Sequence, residues 1–292
     1  MTDTRAIVSG SGSDTWPLVV SYLGHSTVVI ELDGVRVLTD PILRRRVGPL
    51  VRAAPPVPPD AWSDIDVVLL SHSHWDHLDL GSLRLVGTDV PLVVPLGLGP
   101  RLRARGFREV HEVVPGDIIE LAGLTIESVT ALHRGFGPPI GPTELAVGYL
   151  VSGSRSVYFA GDTALFGGMS ELDRGLDVAL IPVWGWGPRA RAVDHLDPLG
   201  AARAMGIIRP HLAVPIHWGT LHPIGMRWLR PDTRIEPPEA FARHAARIVP
   251  TTDVALVGIG DDLTIGSGPR RAAPGTRRAR RSPAAPGTDA SG

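Results

Sequence analysis

Residues 71–77 read Ser71-His72-Ser73-His74-Trp75-Asp76-His77 and follow an apolar run, Val67-Val68-Leu69-Leu70. The run predicts a buried strand. His72 and His74 are two apart in extended backbone, so both side chains project from one side. Asp76 and His77 lie where the chain turns toward a helix starting near Asp79. One short segment thus presents four potential ligands in two directions. Imidazole and carboxylate suit zinc and similar divalent cations. Four such groups packed this closely have no ordinary packing role. An open zinc site keeps about three protein ligands, so four are too many for one ion. Two metals are the natural answer, and more ligands are then expected from later strand ends.

Three residues fill that expectation. His133 follows the predicted strand Leu124–Leu132, Asp162 stands in Gly161-Asp162-Thr163 after Ser156–Ala160, and His217 stands in Pro215-Ile216-His217-Trp218-Gly219 after Leu212–Ile216. Each alone has an ordinary reading as a satisfied polar residue or a turn. Their shared position just past an apolar strand raises them to ligand candidates, because strand ends in a sandwich can converge on one edge.

Around these points the chain reads as many short strands punctuated by turns. Val19–Leu23, Thr27–Leu32 and Val35–Thr39 come first, the last two joined by the hairpin signal Asp33-Gly34. Leu92–Pro95, Glu109–Val113 and Ile118–Leu121 precede Leu124–Leu132. A second series runs through Leu145–Val151, Ser156–Ala160, Val178–Ile181 and Leu212–Ile216, and Val254–Val257 and Leu263–Ile265 close the body. Helices are expected at Leu80–Val86, Leu98–Arg105, Pro198–Gly206 and Pro238–Ile248, with both prolines in first turns. Strands outnumber helices, which predicts two facing sheets with helices outside. The Pro-rich segment Arg44–Trp62 reads as a long ordered loop.

Composition narrows the chemistry. The 292 residues are 43% hydrophobic, enough for one large domain. There is no Cys, so thiolate chemistry and disulfides are excluded and any metal must be held by His and carboxylate. The formal net charge is −1, so no global field steers the chain toward nucleic acid or a membrane. Every basic residue is Arg, a mark of composition rather than function. Met1–Trp16 lacks the pattern of a signal peptide, and no stretch nears the length of a bilayer span, so a cytoplasmic location is the default expectation. The expected division is an N-terminal extension (1–17), one body (18–265) and a disordered Arg/Pro/Ala-rich tail (266–292). Six of the 29 basic residues and one of the 30 acids lie in that tail, leaving the body with 23 against 29. A solvated extension is its ordinary reading; a weak anchor for anionic lipid or nucleic acid is the alternative.

The motifs together resemble the metallo-β-lactamase-fold superfamily. His-x-His-x-Asp-His at 72–77, His133, Gly-Asp-Thr at 161–163 and His217 match its ligand series in order. Within it the chain is similar to the N-acyl phosphatidylethanolamine phospholipase D branch and its bacterial relatives, and to ascorbate-phosphate lactonases. The supporting residues are Tyr22-Leu23-Gly24-His25-Ser26-Thr27, Leu38-Thr39-Asp40-Pro41-Ile42, Asp194-His195-Leu196-Asp197-Pro198 and His217-Trp218-Gly219-Thr220. The resemblance covers roughly residues 18–265 and is far more specific for fold than for substrate. It implies an αββα sandwich of two mixed sheets. It also implies one metal bound by His72, His74 and His133, another by Asp76, His77 and His217, and Asp162 bridging them. Zinc is the first expectation, with manganese or iron as alternatives. Flavodiiron relatives usually carry Glu where this chain has His74, which argues against iron redox chemistry.

The expected reaction is hydrolysis of a phosphodiester in a small-molecule or lipid-like substrate. Two divalent ions about 3.5–4 Å apart acidify a bridging water, polarise the substrate oxygen and stabilise the developing charge. Asp76 would hold its metal and orient the hydroxide. The resemblance places His195 near the substrate, contacting a phosphate or protonating the leaving oxygen; a helix-capping role is its alternative. Asp40 is expected to turn a ligand imidazole, with a plain turn as its alternative, and His25 is open in the same way. Val183–Pro188 is expected to line a substrate groove or simply to pack. His111, His211, His222 and His244 receive no role. Two other functions stand beside this one: hydrolysis of lactones or β-lactams, and a metal-binding regulatory or nucleic-acid-associated role through the tail.

Overall fold

The computed structural model describes residues 16–133, 145–184, 194–224 and 236–266. The strands, in chain order, are β1 (Leu18–Gly24), β2 (Thr27–Leu32), β3 (Val35–Thr39), β4 (Arg46–Val47), β5 (Leu50–Arg52), β6 (Val67–Leu69), β7 (Leu92–Pro95) and β8 (Val110–Val113). Then come β9 (Ile118–Leu121), β10 (Leu124–Thr130), β11 (Val147–Ser152), β12 (Ser156–Phe159), β13 (Val178–Pro182), β14 (Leu212–Ile216), β15 (Leu221–Pro223), β16 (Asp253–Val254) and β17 (Asp262–Ile265). The helices are α1 (Leu80–Val86), α2 (Gly99–Arg103), α3 (Pro198–Ile208) and α4 (Glu236–Ile248).

Two seven-stranded sheets result, ordered β17-β1-β2-β3-β6-β7-β8 and β16-β14-β13-β12-β11-β10-β9. Both follow one plan. Antiparallel pairing runs through the hairpins β1–β2–β3 and β9–β10–β11–β12. Parallel pairing then runs through β3–β6–β7–β8 and β12–β13–β14–β16. The inner faces meet through Val20, Tyr22, Ile30, Leu69, Tyr149, Phe159, Leu180 and Val214, all fully buried. Outside the first sheet, α1 and α2 pack through Leu83 and Leu102. Outside the second, α3 and α4 pack through Ala201, Met205 and Phe241. The architecture is therefore αββα, as the resemblance implied. Among the described residues no helix is long and apolar enough to cross a membrane.

The expected loop at Arg44–Trp62 is a correction. It holds β4, β5 and a 3-10 turn at Pro59–Trp62. With β15 these strands form a third, three-stranded sheet, sealed by Ile42, Val47 and Leu221. The partner of β5 lies far along the chain, so a local reading of short proline-flanked runs missed the pairing. Smaller differences are at element ends. β10 stops at Thr130, leaving His133 three residues beyond its ladder, and the expected strand Val254–Val257 shrinks to Asp253–Val254. Of the expected tail, only Gly266 falls among the described residues.

One hydrogen bond ties the sheets together beside the 71–77 segment. The Tyr149 hydroxyl of β11 donates to the carbonyl oxygens of Leu70 (2.7 Å) and Val93 (3.1 Å). Tyr149→Phe is expected to destabilise the fold by about 1–3 kcal/mol, since the Leu70 carbonyl is left buried without this donor. The shift of the urea midpoint at unchanged slope measures it.

Candidate metal centre

The carboxyl ends of β6, β10, β12 and β14 all open on one edge of the sandwich, and each leads to predicted ligands. β6 runs into His72, β10 toward His133, β12 into Asp162 and β14 into His217. The crossing is close. Gly161 has φ +57°, and a Cβ there would lie 2.5 Å from Cβ of Ser71. Glycine lets the turn from the second sheet pass directly over the strand end of the first. Three non-glycine residues at this edge, His25 (φ 57°), Asp40 (φ 33°) and His217 (φ 62°), also hold left-handed backbone. Strain of that kind persists only where surrounding contacts over-determine it.

Most of the imidazoles are held by the nitrogen that faces away from the centre. His77 Nδ1 lies 2.7 Å from Asp40 Oδ2, His133 Nδ1 2.7 Å from the Asp194 carbonyl, and His217 Nδ1 2.6 Å from the Trp184 carbonyl. These oxygens can only accept, so each Nδ1 carries the proton and each Nε2 is turned inward. Ser71 Oγ donates to Asp40 Oδ2 at 2.5 Å and lies 2.9 Å from His72 Nδ1, which orients His72 likewise. His74 is the exception: its Nδ1 faces His72 Nε2 at 2.9 Å and His133 Nε2 at 3.1 Å. Three ring nitrogens with little hydrogen between them converge on one point.

A second convergence lies alongside. His77 Nε2 and His217 Nε2 each stand 3.7 Å from Asp76 Oδ2. Asp162 faces both, with Oδ2 3.3 Å from His77 Nε2 and Oδ1 3.2 Å from His217 Nε2. Nevertheless His77 Nε2 and both Asp162 oxygens are buried and make no hydrogen bond. Donors sharing one tetrahedral zinc at about 2.0–2.1 Å stand roughly 3.3 Å apart. The separations here scatter around that value, so the donor set fits divalent cations. All seven predicted ligands are brought together, in overlapping clusters that also take in His25, Asp40 and His195.

The electrostatics of the two groups differ. Burial holds His72, His74 and His133 below their ordinary values, His74 at about 4. In the other group burial is again the largest influence and opposes charging, but Asp162 and Asp76, joined at His77 by Asp40, together outweigh it and raise His77 well above its ordinary range and His217 to about 9. Burial would raise Asp76 and Asp162, yet His77 and His217 respectively lead in pulling them well below theirs. So burial favours the neutral imidazole in the first group, while the carboxylates favour the charged imidazole in the second.

The remaining assignments divide. Asp40 accepts from Ser71 N at 2.7 Å besides Ser71 Oγ and His77, so it orients the imidazole of His77, a candidate ligand. His195 does not cap α3; Asp197 does, accepting from Gly200 N at 2.6 Å. The His195 ring instead sits 3.3 Å from Asp162 Oδ2, with 17% of its side chain exposed against 0% for His77 and His217. Of the expected groove segment, Gly185–Pro188 lies outside the described residues. The carbonyls of Trp184 and Asp194 and the Ser71 hydroxyl were missed. Backbone oxygens leave no trace in sequence, and Ser71 reads as an ordinary residue.

The chain is similar to known metal-dependent hydrolases. Residues 35–218 match a family described as the beta-lactamase superfamily domain. A metal-dependent hydrolase of Methanopyrus kandleri is 32% identical over 248 residues, 83% of this chain and 97% of that protein. An N-acyl-phosphatidylethanolamine-hydrolyzing phospholipase D of Caenorhabditis elegans is 31% identical over 71% of this chain and 65% of its own. The chain spans 64% of the length of an uncharacterised Mycobacterium tuberculosis protein with which it shares 34% identity over 76% of its own length. The structure of a metallo hydrolase from Ignicoccus hospitalis superposes with a TM-score of 0.66 at 22% identity, covering 86% of this chain and 99% of the other.

Two measurements test the geometry. Metal entering beside Asp76 must displace protons from His77 and His217. Its apparent affinity should therefore climb as pH rises toward about 9, where His217 loses its proton unaided. The His72–His74–His133 group competes with protons only near or below its lowered values, so its affinity should stay nearly flat from about pH 7 to 9. Calorimetric titration in buffers of different ionisation heat reads the proton release. Asp40→Ala should weaken metal binding by about 10–100-fold, measured by competition with a chelator.

Proposed function

The chain belongs to the metallo-β-lactamase-fold superfamily, and from that premise we propose that it is a binuclear metal-dependent hydrolase acting on a phosphodiester, in the manner of a phospholipase D. The observation that carries the two-metal reading is Asp162: its buried carboxylate faces His77 and His217 at 3.2–3.3 Å on one side and lies within 4.8 Å of a His133 ring nitrogen on the other. In this reading His72, His74 and His133 hold one ion, Asp76, His77 and His217 the other, and Asp162 is shared. Zinc suits this all-His/Asp donor set. When bound, such a pair supplies an acidified water and polarises the substrate oxygen.

The chain's own residues do the rest. Asp40 and the carbonyls of Asp194 and Trp184 keep each Nε2 aimed inward, so the ligands are set before substrate arrives. Asp76, itself hydrogen-bonded, is the carboxylate that orients the attacking water. His195 is the acid. Its Nδ1 faces Asp162, its ring keeps a path to solvent, and its Nε2 is left to protonate the departing oxygen. The phosphodiester assignment rests on the likeness to the nematode enzyme, whose name states that it hydrolyses a phospholipid. It also rests on this acid, since an alkoxide leaving a phosphate needs a proton.

The experiment is metal analysis of the purified protein together with a hydrolysis panel of a generic phosphodiester, an N-acyl phosphatidylethanolamine, a lactone and a β-lactam. Two zinc equivalents and turnover of a phosphodiester are expected; turnover of only the lactone or β-lactam would move the assignment to acyl chemistry. His195→Ala should lower kcat on the phosphodiester by about 10²–10⁴ with metal content unchanged. Unaltered turnover would remove the acid role.

A further inference from the structure

We propose that His25 is a positioning residue of the metal centre: its Nε2–H holds the Asp76 carboxylate in the orientation that presents it to the cation shared with His77 and His217. The inference rests on the two-metal reading above. His25 Nε2 lies 3.1 Å from Asp76 Oδ2, with both side chains buried. A carboxylate oxygen has no proton to offer when ionised, so the ring donates and the acid accepts. A metal-binding oxygen that also accepts a hydrogen bond loses rotational freedom, and its orientation is then set by the protein rather than by the ion.

The backbone around His25 is built to hold that ring in place. Its N–H donates to Thr220 Oγ1 at 2.7 Å, and its carbonyl accepts from His217 N at 2.7 Å. Both bonds run to the segment that follows β14, so the end of β1 and the His217 turn are stitched as one unit. The residue before it, Gly24, has φ +112°, and a Cβ there would lie 2.7 Å from Thr220 Oγ1. Only glycine allows the approach. These constraints fix the His25 backbone, from which the ring reaches Asp76.

His25, Asp76, His77 and His217 bring ligand atoms within 4.8 Å of one another, and the His25 ring stands as far from His77 (5.3 Å between centroids) as the His217 ring does. What sets His25 apart is the aim of its Nε2, 3.1 Å from the Asp76 carboxylate, with its ring stacked on His217 at 3.9 Å.

The test uses three variants of the full-length protein, with metal stoichiometry and the affinity for each ion measured by chelator competition, and cobalt(II) spectra reporting coordination. His25→Phe keeps a ring to stack on His217 but has no donor. His25→Gln places an amide N–H₂ near the position of Nε2. His25→Ala removes both. The expected result is that Phe and Ala weaken one of the two ions by about 10–100-fold, while Gln returns it to within a few-fold of wild type. The other ion should keep its affinity in all three. In the phosphodiester assay the Phe variant should lose kcat more than KM. Phe matching wild type, or Gln no better than Phe, overturns the inference while leaving the two-metal reading intact. A wild-type protein that binds a single ion overturns both. Thermal melting of each variant shows whether it is folded; should Phe fail to fold, the Gln–Ala comparison decides alone.

Discussion

Burying ionised groups is costly unless they are compensated, and this molecule buries the carboxylates of Asp40, Asp76 and Asp162 and the imidazoles of His25, His72, His77, His133 and His217 at one edge of its sandwich. Asp76 and Asp162 are almost wholly enclosed, as are His25, His72, His77 and His217. Removing such charges from water costs several kcal/mol each even after relaxation. Without metal the compensation comes from His77 and His217, held charged by Asp162 and Asp76. With divalent cations those protons are replaced. The arrangement therefore stores, in the folded chain alone, the electrostatic balance that a metal pair would take over.

Two sheets are needed to create that enclosure. Donors on a single segment can face one ion, but a shared carboxylate must arrive from elsewhere. β6 leads to four candidate ligands from the first sheet, and β10, β12 and β14 lead to three from the second. The large apolar interface between the sheets, with Tyr149 bonding across it beside Leu70, fixes their separation. Gly161 then lets the second sheet's turn touch Ser71. Packing and ligation are thus one problem: the core sets the distance that the ligands require. Behind the ligands stands a layer of acceptors, Asp40 and two backbone carbonyls, that selects which ring nitrogen points inward.

Much of this was legible in advance, and unevenly. Long apolar runs such as Val67–Leu69, Leu212–Ile216 and Thr27–Leu32 announced their strands because burial and β-branching mark them locally. The seven ligand candidates were legible because five of them share segments or motifs in which side-chain chemistry has no packing purpose. The third sheet was not legible. β4 and β5 are two and three residues long, lie among prolines, and pair with Leu221–Pro223, so their stability is wholly tertiary. His25 was open between two readings for a similar reason: its partner Asp76 lies 51 residues away.

The amino-acid sequence by itself determined the kind of chemistry this chain can do. It has His and Asp but no Cys, four of those groups on one strand end, and three more at later strand ends. Spacing within a segment obeys the two-residue period of extended backbone, so which side chains share a side follows directly. What only the tertiary structure decided is the division of labour among them: Nδ1 rather than Nε2 inward at His74, Asp162 facing both His77 and His217, Asp197 rather than His195 as the helix cap, and His25 bonded to Asp76. The relations of Asp162 to His77 and His217, and of His25 to Asp76, join residues 51 or more positions apart. They exist only once the two sheets close and burial makes each polar atom's choice of partner matter.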